Sequence, residues 1–552
     1  MRTLGIGLLL LLAVFGSALP AQCATLYVKS DSPYDGPGND WDHAYHTVTA
    51  GLNAAATGDE VWVAAGLYVE KITLKSGVEL YGGFPTGGGV WETRSPETNT
   101  ATLDGNRGGS VVTVPAGVTD AVIDGFTIQN GTGTFLRGGY YSWSGYYGGG
   151  IHAVSSSFVI SNCIIADNEA AYGGGIYCQG GRPSIVRNLI TRNTVDAGYL
   201  RSAWGGGILC EENSLATIAN NTISYNSAPN MCSGGIQIIQ SPAIITCNRI
   251  EHNTSLWASA GIDINSCSPI ISGNFICANA VTNPVIPGIG TALSGGAALW
   301  AGNGAPIVTN NTIVDNGTDL GGAIYLTRTN GRFSNNVVAF NSCGIYGGEQ
   351  VQNTVFANNC MYENGDYDYS GVPPGAGDIH SDPRLADWAA GDYHLSPASP
   401  CVDAGLSDAP GLTSMDIDGQ GRIWGRAVDI GADEIWPVSV KIDIKPGGSP
   451  NPINLASRGL TTVAILSDSD LDARWIDPAS IVFAGCAVAV QGDRPMAGAE
   501  DVDRDGDQDM VMHFETRLLQ LDAGSSSASL VGRMPDGQPV VGSDSVVIIR
   551  SR

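Results

Sequence analysis

Lysine is almost missing from this chain. Only Lys29, Lys71, Lys75, Lys441 and Lys445 occur in 552 residues, none between residues 76 and 440, and the formal net charge is −26. So few cations argue against nucleic acid or an anionic membrane as partner. After the first two dozen residues no apolar run approaches the about 18 needed to cross a bilayer, so no transmembrane segment is expected in the mature chain. His43, His46, His152, His380, His394 and His513 are scattered without the spacing of metal ligands, and no role is read for them. Apart from Cys23, an odd number of cysteines remains, mostly inside repeats and not at the loop spacings of a disulfide scaffold. Cys178 and Cys210 share a register and read as small inward apolar groups, with a disulfide between neighbouring turns as the alternative.

What the chain has in abundance is a cadence. Between residues 160 and 341 an apolar residue, two variable positions, Asn, two apolar positions, two variable positions and Asn recur seven times, at spacings of 25 to 37. The first Asn column is Asn188, Asn221, Asn248, Asn274, Asn311 and Asn336, with Cys163 in the earliest copy. The second is Asn168, Asn193, Asn226, Asn253, Asn279, Asn316 and Asn341. Each copy precedes a glycine-rich restart such as Gly173-Gly174-Gly175-Ile176. A fixed unit with one variable loop predicts a coil wound on itself, its strands of three residues pairing in parallel with those of the next turn around a narrow core. Ile176, Ile208, Ile236, Ile262 and Ile324 should form one inward ladder. Asn at the turn is expected to take a left-handed backbone and to bond to the Asn of the next coil.

The expected architecture is all-β: a parallel solenoid of three sheets and about eleven coils over residues 60–385, a rod of about 50 Å at the usual strand spacing. Residues 25–59 form an N-terminal cap, with a helix over Ala44 to Ala56 that sets Val48, Leu52 and Ala55 on one side. Residues 1–24, with Arg2, an apolar run from Leu8 to Val14 and small residues at Ala21 and Ala24, read as a secretory signal peptide and imply a secreted or cell-surface protein; a monomer is expected. Residues 386–435 form a tail. In residues 436–552 the alternation at Val440, Ile442 and Ile444, and the runs Thr461 to Leu466 and Met510 to Phe514, predict an antiparallel β-sandwich.

Two features carry chemistry. Asp501, Asp503, Asp505, Asp507 and Asp509 alternate around Gly506, a pattern of hard oxygen ligands suited to calcium, although Met512 stands where a calcium loop's bidentate Glu would be. Asp416, Asp418 and Asp429 are a weaker set. Loops of variable length all follow the second Asn and should form one lateral wall, where Tyr140, Tyr141, Trp143, Tyr146, Tyr147, Tyr199, Trp204 and Trp257 gather. Flat rings spaced by the coil rise suit an extracellular polysaccharide as partner; the alternative is that they pack on each other to seal the loops.

The repeats, with Gly66-Leu67-Tyr68-Val69-Glu70 and Leu80-Tyr81-Gly82-Gly83-Phe84, resemble the right-handed parallel β-helix proteins of the pectate-lyase-like class. The stretch from Asp392-Tyr393-His394-Leu395 through Asp416-Ile417-Asp418-Gly419 to Val428-Asp429-Ile430-Gly431-Ala432-Asp433-Glu434 is similar to the choice-of-anchor tails of surface β-helix proteins. The resemblance implies binding to extracellular polysaccharide, with a calcium-dependent polysaccharide lyase or a non-catalytic adhesin as alternatives. Lyases of this fold set a Lys or Arg base beside a metal-bound uronate. Lys is absent from the central coils, and of the arginines Arg187, Arg192, Arg201 and Arg249 are considered for that role, with Glu251 and His252 near the last.

Overall fold

The computed structural model describes residues 23–549 apart from 34, 138–143, 197–202, 283–294, 319–320 and 470. Strands of three or four residues cannot bury a face alone, and each pairs in parallel with its equivalent one turn on. Three long sheets result. Sheet I has twelve strands, from Thr25–Val28 to Val355–Ala357; sheet II has eleven, from Gly66–Tyr68 to Cys360–Tyr362; sheet III has eleven, from Ile72–Thr73 to Tyr369–Ser370. The fold is thus the expected right-handed parallel β-helix of about eleven coils. In sheet III, Ile151, Ile176, Ile208, Ile236, Ile262, Leu299, Ile324 and Ile345 are successive register partners, all essentially without exposed surface. Cys178 and Cys210 pair within that sheet as buried thiols.

The corners are built from the two asparagine columns. In the first, the main-chain N–H and side-chain Nδ2 of Asn188 both donate to Asn221 Oδ1, at 2.9 and 3.0 Å. The same pair of bonds repeats through Asn248, Asn274, Asn311 and Asn336. Nδ2 also reaches a main-chain carbonyl of the preceding coil, as Asn188 does to Ile160 O at 3.0 Å. The asparagines themselves do not take the left-handed conformation expected of them. That conformation falls on the residue before each one: Asp167, Arg192, Tyr225, His252, Ala278, Asp315 and Phe340 in the second column all have φ between 52° and 58°. The bend at that residue turns the following amide inward, where it is 0–3 % exposed. The columns also run one coil further than the repeat suggests, to Asn359 and Asn364. Asn359 then donates to Asp378 Oδ1 and Asn364 to Asp368 Oδ1.

A fourth parallel sheet was not foreseen. Sheet IV has six short strands, from Glu169–Ala170 to Gly317–Thr318, that follow the second Asn and form the base of the variable loops. At the N-terminal end, helix α1 (Val48–Ala54) starts from a Thr47 cap and buries Val48 and Leu52 against Val28 and Val61. The tail between Leu385 and Trp436 folds back over the late coils. Asn310 Nδ2 donates to Asp429 O, Asn335 Nδ2 to Leu406 O and Asn358 Nδ2 to Ala404 O, so left-handed corner residues hold it down. Its Tyr393, Leu395, Cys401 and Ile430 bury the outward Phe275, Val314, Val337 and Cys360 of sheet II. Beyond the tail, five-stranded and four-stranded sheets enclose a separate core around Ile444, Val463, Phe483, Met512, Phe514 and Leu530. This is the β-sandwich, antiparallel except where Val438–Ser439 pairs in parallel with Val540 and Val541 and Pro452–Ile453 with Val547 and Ile548.

Asn253→Ala should be costly. It leaves the Asn226 N–H and Nδ2 and the Ile223 carbonyl without their partner in a dry corner, a loss of about 2–4 kcal/mol. Asn230→Ala, which removes only an exposed bond to Asp196, should stay within about 0.5 kcal/mol. Urea unfolding of the two variants against the parent measures the difference.

Candidate functional site

Alternation along sheet III turns every second residue away from the core. The register partners Thr73, Thr113, His152, Tyr177, Leu209, Gln237, Asp263, Trp300, Tyr325 and Tyr346 therefore form one outward file, one residue per coil. Such a file is the surface that a linear ligand would meet. Its middle part is roofed. Tyr147, Tyr172, Trp204, Cys232 and Trp257 stand in register one coil apart at the base of the loops. Tyr147 stacks on Tyr172 with centroids 4.5 Å apart and meets Tyr177 edge-on at 4.9 Å, and Leu136, Leu209, Ile239 and Trp204 complete that cluster.

The aromatics expected in a lateral wall thus divide. Tyr147 is buried, Trp204 and Trp257 are half-buried, and Tyr146 is exposed. Tyr140, Tyr141, Trp143 and Tyr199 lie outside the described residues. For Tyr147, and for Tyr172, which the repeat pattern did not single out, the rings seal the loops. Tyr146 stays free on a hairpin that pairs Thr134–Leu136 with Gly145–Tyr147, where it meets the exposed Phe135 at 5.3 Å.

Beneath the roof the file is polar and nearly closed. His152 is 6 % exposed, lies parallel to Tyr177 at 5.6 Å, and neither of its ring nitrogens has a hydrogen-bond partner. Tyr177 donates to Glu211 Oε1 at 2.6 Å, and Gln237 Nε2 donates to Asp263 Oδ1 at 3.0 Å while Gln237 Oε1 is unpartnered. Burial pushes the carboxyls of Glu211 and Asp263 up to about 7 each, and lowers the His152 imidazole. All three groups are at most 6 % exposed, so they face the inside of the roof. Sequence reasoning missed Glu211 and Asp263. The signal was available in Ile262-Asp263-Ile264, where alternation sets a lone acid outward between two core residues.

Toward the first coils the file is open. A cavity of about 650 Å³ is lined by Lys71, Thr73, Arg107, Thr113, Phe135 and Tyr146 among others. Lys71 Nζ donates to Gly108 O at 2.7 Å and Arg107 pairs with Glu169 at 2.7 Å, which brings two of the chain's few cations to one mouth.

The arginines considered as bases are engaged elsewhere. Arg192 binds Asp167 with two bonds of 2.9 and 2.7 Å on the outer corner, and Arg187 donates to Asn162 Oδ1 at 3.3 Å. Arg249 pairs with Glu251 at 2.5 Å, donates to Gly391 O at 2.9 Å and lies over the Tyr393 ring, so it fastens the tail. Arg201 lies outside the described residues, and His252 stacks on Tyr225 at 4.9 Å.

In the acidic loop, Asp501, Asp503 and Asp509 offer oxygens within 4.8 Å of one another, and Asp505 and Asp507 stand outside that group. Asp509 is buried, its oxygens accepting from Ser467 N and Val502 N at 2.9 Å each. Asp507 Oδ1 is enclosed without a partner. In the tail, Asp429 accepts from Asp403 N and Ile435 N, so both its oxygens hold turns, and it does not join Asp416 and Asp418.

Among described residues no helix is long and apolar enough to cross a membrane. Residues 206–377 match the right handed beta helix region family, and residues 35–269 match a protein family of unknown function, DUF1565. No curated protein sequence matches the chain. Among solved structures it is similar to a pectate lyase, with 14 % identity, 74 % of this chain and 96 % of that one covered, and a TM-score of 0.40. A periplasmic alginate epimerase gives 15 %, 58 % and 72 %, with a TM-score of 0.35. The A-module of the mannuronan C-5 epimerase of Azotobacter vinelandii gives 14 %, 60 % and 91 %, with 0.33.

Because the Glu211 and Asp263 carboxyls are raised in the folded chain, their contribution to stability is full below about pH 4 and is lost as pH rises through about 7. Each tenfold change in proton affinity is worth about 1.4 kcal/mol. Glu211→Gln and Asp263→Asn should therefore raise the melting temperature at pH 8 by a few degrees and change it little at pH 4. Calorimetry at the two pH values reads the sign.

Proposed function

We propose that this chain is a secreted or cell-surface β-helix protein that binds extracellular polysaccharide along the outer face of sheet III. The observation that supports this best is the open cleft at the first coils. There the exposed Phe135 and Tyr146 rings stand beside Lys71 and Arg107, in line with Thr73 and Thr113, and the same file continues toward His152 and Asp263. Ring faces take the C–H side of a sugar while threonine hydroxyls and glycine main chain take its edge. The half-buried Trp204 and Trp257 border the inner end of that path. The rod is the scaffold, and the loops on one flank select the ligand. Of the arginines considered as the base of a lyase, Arg187, Arg192 and Arg249 are bonded away from this face, and the cleft itself holds Lys71 and Arg107.

Calcium is the cation that the loop of Asp501, Asp503 and Asp509 would hold, with Asp507 Oδ1 as an enclosed spare oxygen. Its role there would be to tie the strand that begins at Asp509 to the Ser467 turn.

On an array of neutral and uronate glycans the parent should retain at least one polysaccharide. Phe135→Ala with Tyr146→Ala should weaken that retention about tenfold or more, and Tyr225→Ala, an exposed ring on another corner, should leave it intact. Equal retention by all three would reject the cleft. Adding calcium to chelator-treated protein should raise the melting temperature of the C-terminal transition, and Asp501→Asn with Asp503→Asn should abolish that rise.

A further inference from the structure

The tail holds a group of side chains that neither the repeat nor the cleft explains. Asp416, Asp429, Asp433 and Glu434 are all at most 4 % exposed, and Arg422 is buried among them. That guanidinium makes no direct ion pair with them: its N–H groups go to the main-chain carbonyls of Ala432, Asp429 and Gly431. Asp429 and Glu434 each accept two main-chain N–H bonds, which accounts for their place in the turns. Asp416 and Asp433 are left with less. Asp433 accepts one, from Leu395 N at 2.8 Å. Asp416 uses Oδ1 for Asp418 N and Gln420 N, and its Oδ2 is buried without a partner.

His394 completes the arrangement. His394, Asp418 and Asp433 bring ligand atoms within 4.8 Å of one another, and His394 Nε2 lies 3.3 Å from Asp418 Oδ1. Its other nitrogen, Nδ1, is 2.6 Å from Asp392 Oδ1. A carboxylate behind an imidazole fixes the tautomer and turns the Nε2 lone pair outward, the usual support of a metal-bound histidine. Asp416 is joined to this group through Asp418, whose main-chain N–H donates to Asp416 Oδ1 at 3.1 Å.

We infer that His394, Asp418 and Asp433, with the unpartnered Asp416 carboxylate beside them, form a binding site for a divalent cation of the zinc class. One imidazole nitrogen and several carboxylate oxygens suit such an ion better than calcium, which takes oxygen ligands alone. A cation there would relieve the buried carboxylates and tie three separate segments of the tail: the strand Asp392–Leu395, the turn at Asp416–Gln420 and the stretch around Asp433. The site is independent of the polysaccharide reading.

The test uses the full chain carrying Asp501→Asn and Asp503→Asn, so that the acidic loop is silent, stripped with chelator and titrated with zinc chloride. One zinc per chain by calorimetry and elemental analysis, with a melting temperature raised by several degrees, is the expected result. His394→Gln or Asp418→Asn should then weaken binding by tenfold or more with an unchanged circular dichroism spectrum. Asp392→Asn, which removes no ligand, should weaken it about 10- to 100-fold. Stoichiometry and affinity that persist in both ligand variants would assign the zinc elsewhere, to cysteine thiols for example, and overturn the site. So would the absence of zinc uptake, or a preference for calcium over zinc.

Discussion

The structure depends on one hydrogen-bonding device, the asparagine whose Oδ1 accepts two bonds from the asparagine a coil before it. A rod with a core this narrow must bury its corners, and a buried corner exposes main-chain N–H groups that no strand can pair. Each amide meets that need for its neighbour while its own Nδ2 reaches a main-chain carbonyl. The bond fits only when successive coils stand directly over one another, so it sets register as well as stability. Register in turn decides which residues line up on the outside. Without it, His152, Gln237 and Asp263 would share no surface.

The files end in an orderly way. Each runs with its donors facing one direction, so its last member must meet an acceptor that asks for nothing further. Asp378 and Asp368 serve as those acceptors. Carboxylates are the natural terminators for a column of amides, because an ionised Asp offers only lone pairs. At the other end the first members receive donors from ordinary main chain, Gly131 N onto Asn168 and Cys163 N onto Asn188.

Much of this was legible in the sequence, because the inward positions are few in kind: Asn188 and its counterparts, Ile176 and its counterparts, and the restart glycines recur at fixed offsets. The outward positions carry no such constraint. Glu211 has Gln179 at the same register in the coil before it, and Asp263 lies between Gln237 and Trp300, so no column draws the eye to them. The left-handed residue was misplaced by one for a related reason: the residue that bends points away from the core and is variable, from Asp167 to Phe340, and leaves no repeating letter. The tail was harder still. His394 and Asp433 are 39 residues apart, and only the fold of the turns brings them together. The stack that joins Tyr147 to Tyr172 depends on loops of unequal length, which the cadence marks only as interruptions.

The directional amide column has a bearing on how such a rod can change its length. Every interior unit presents the same acceptor to the coil before it and the same donors to the coil after it, so one whole turn can be duplicated or excised and the two new neighbours still fit. The terminators and the caps stay where they are. Reach, and the number of ring-bearing loops set along it, can therefore be altered by recombination in whole steps, while half a step would break the column and with it the fold.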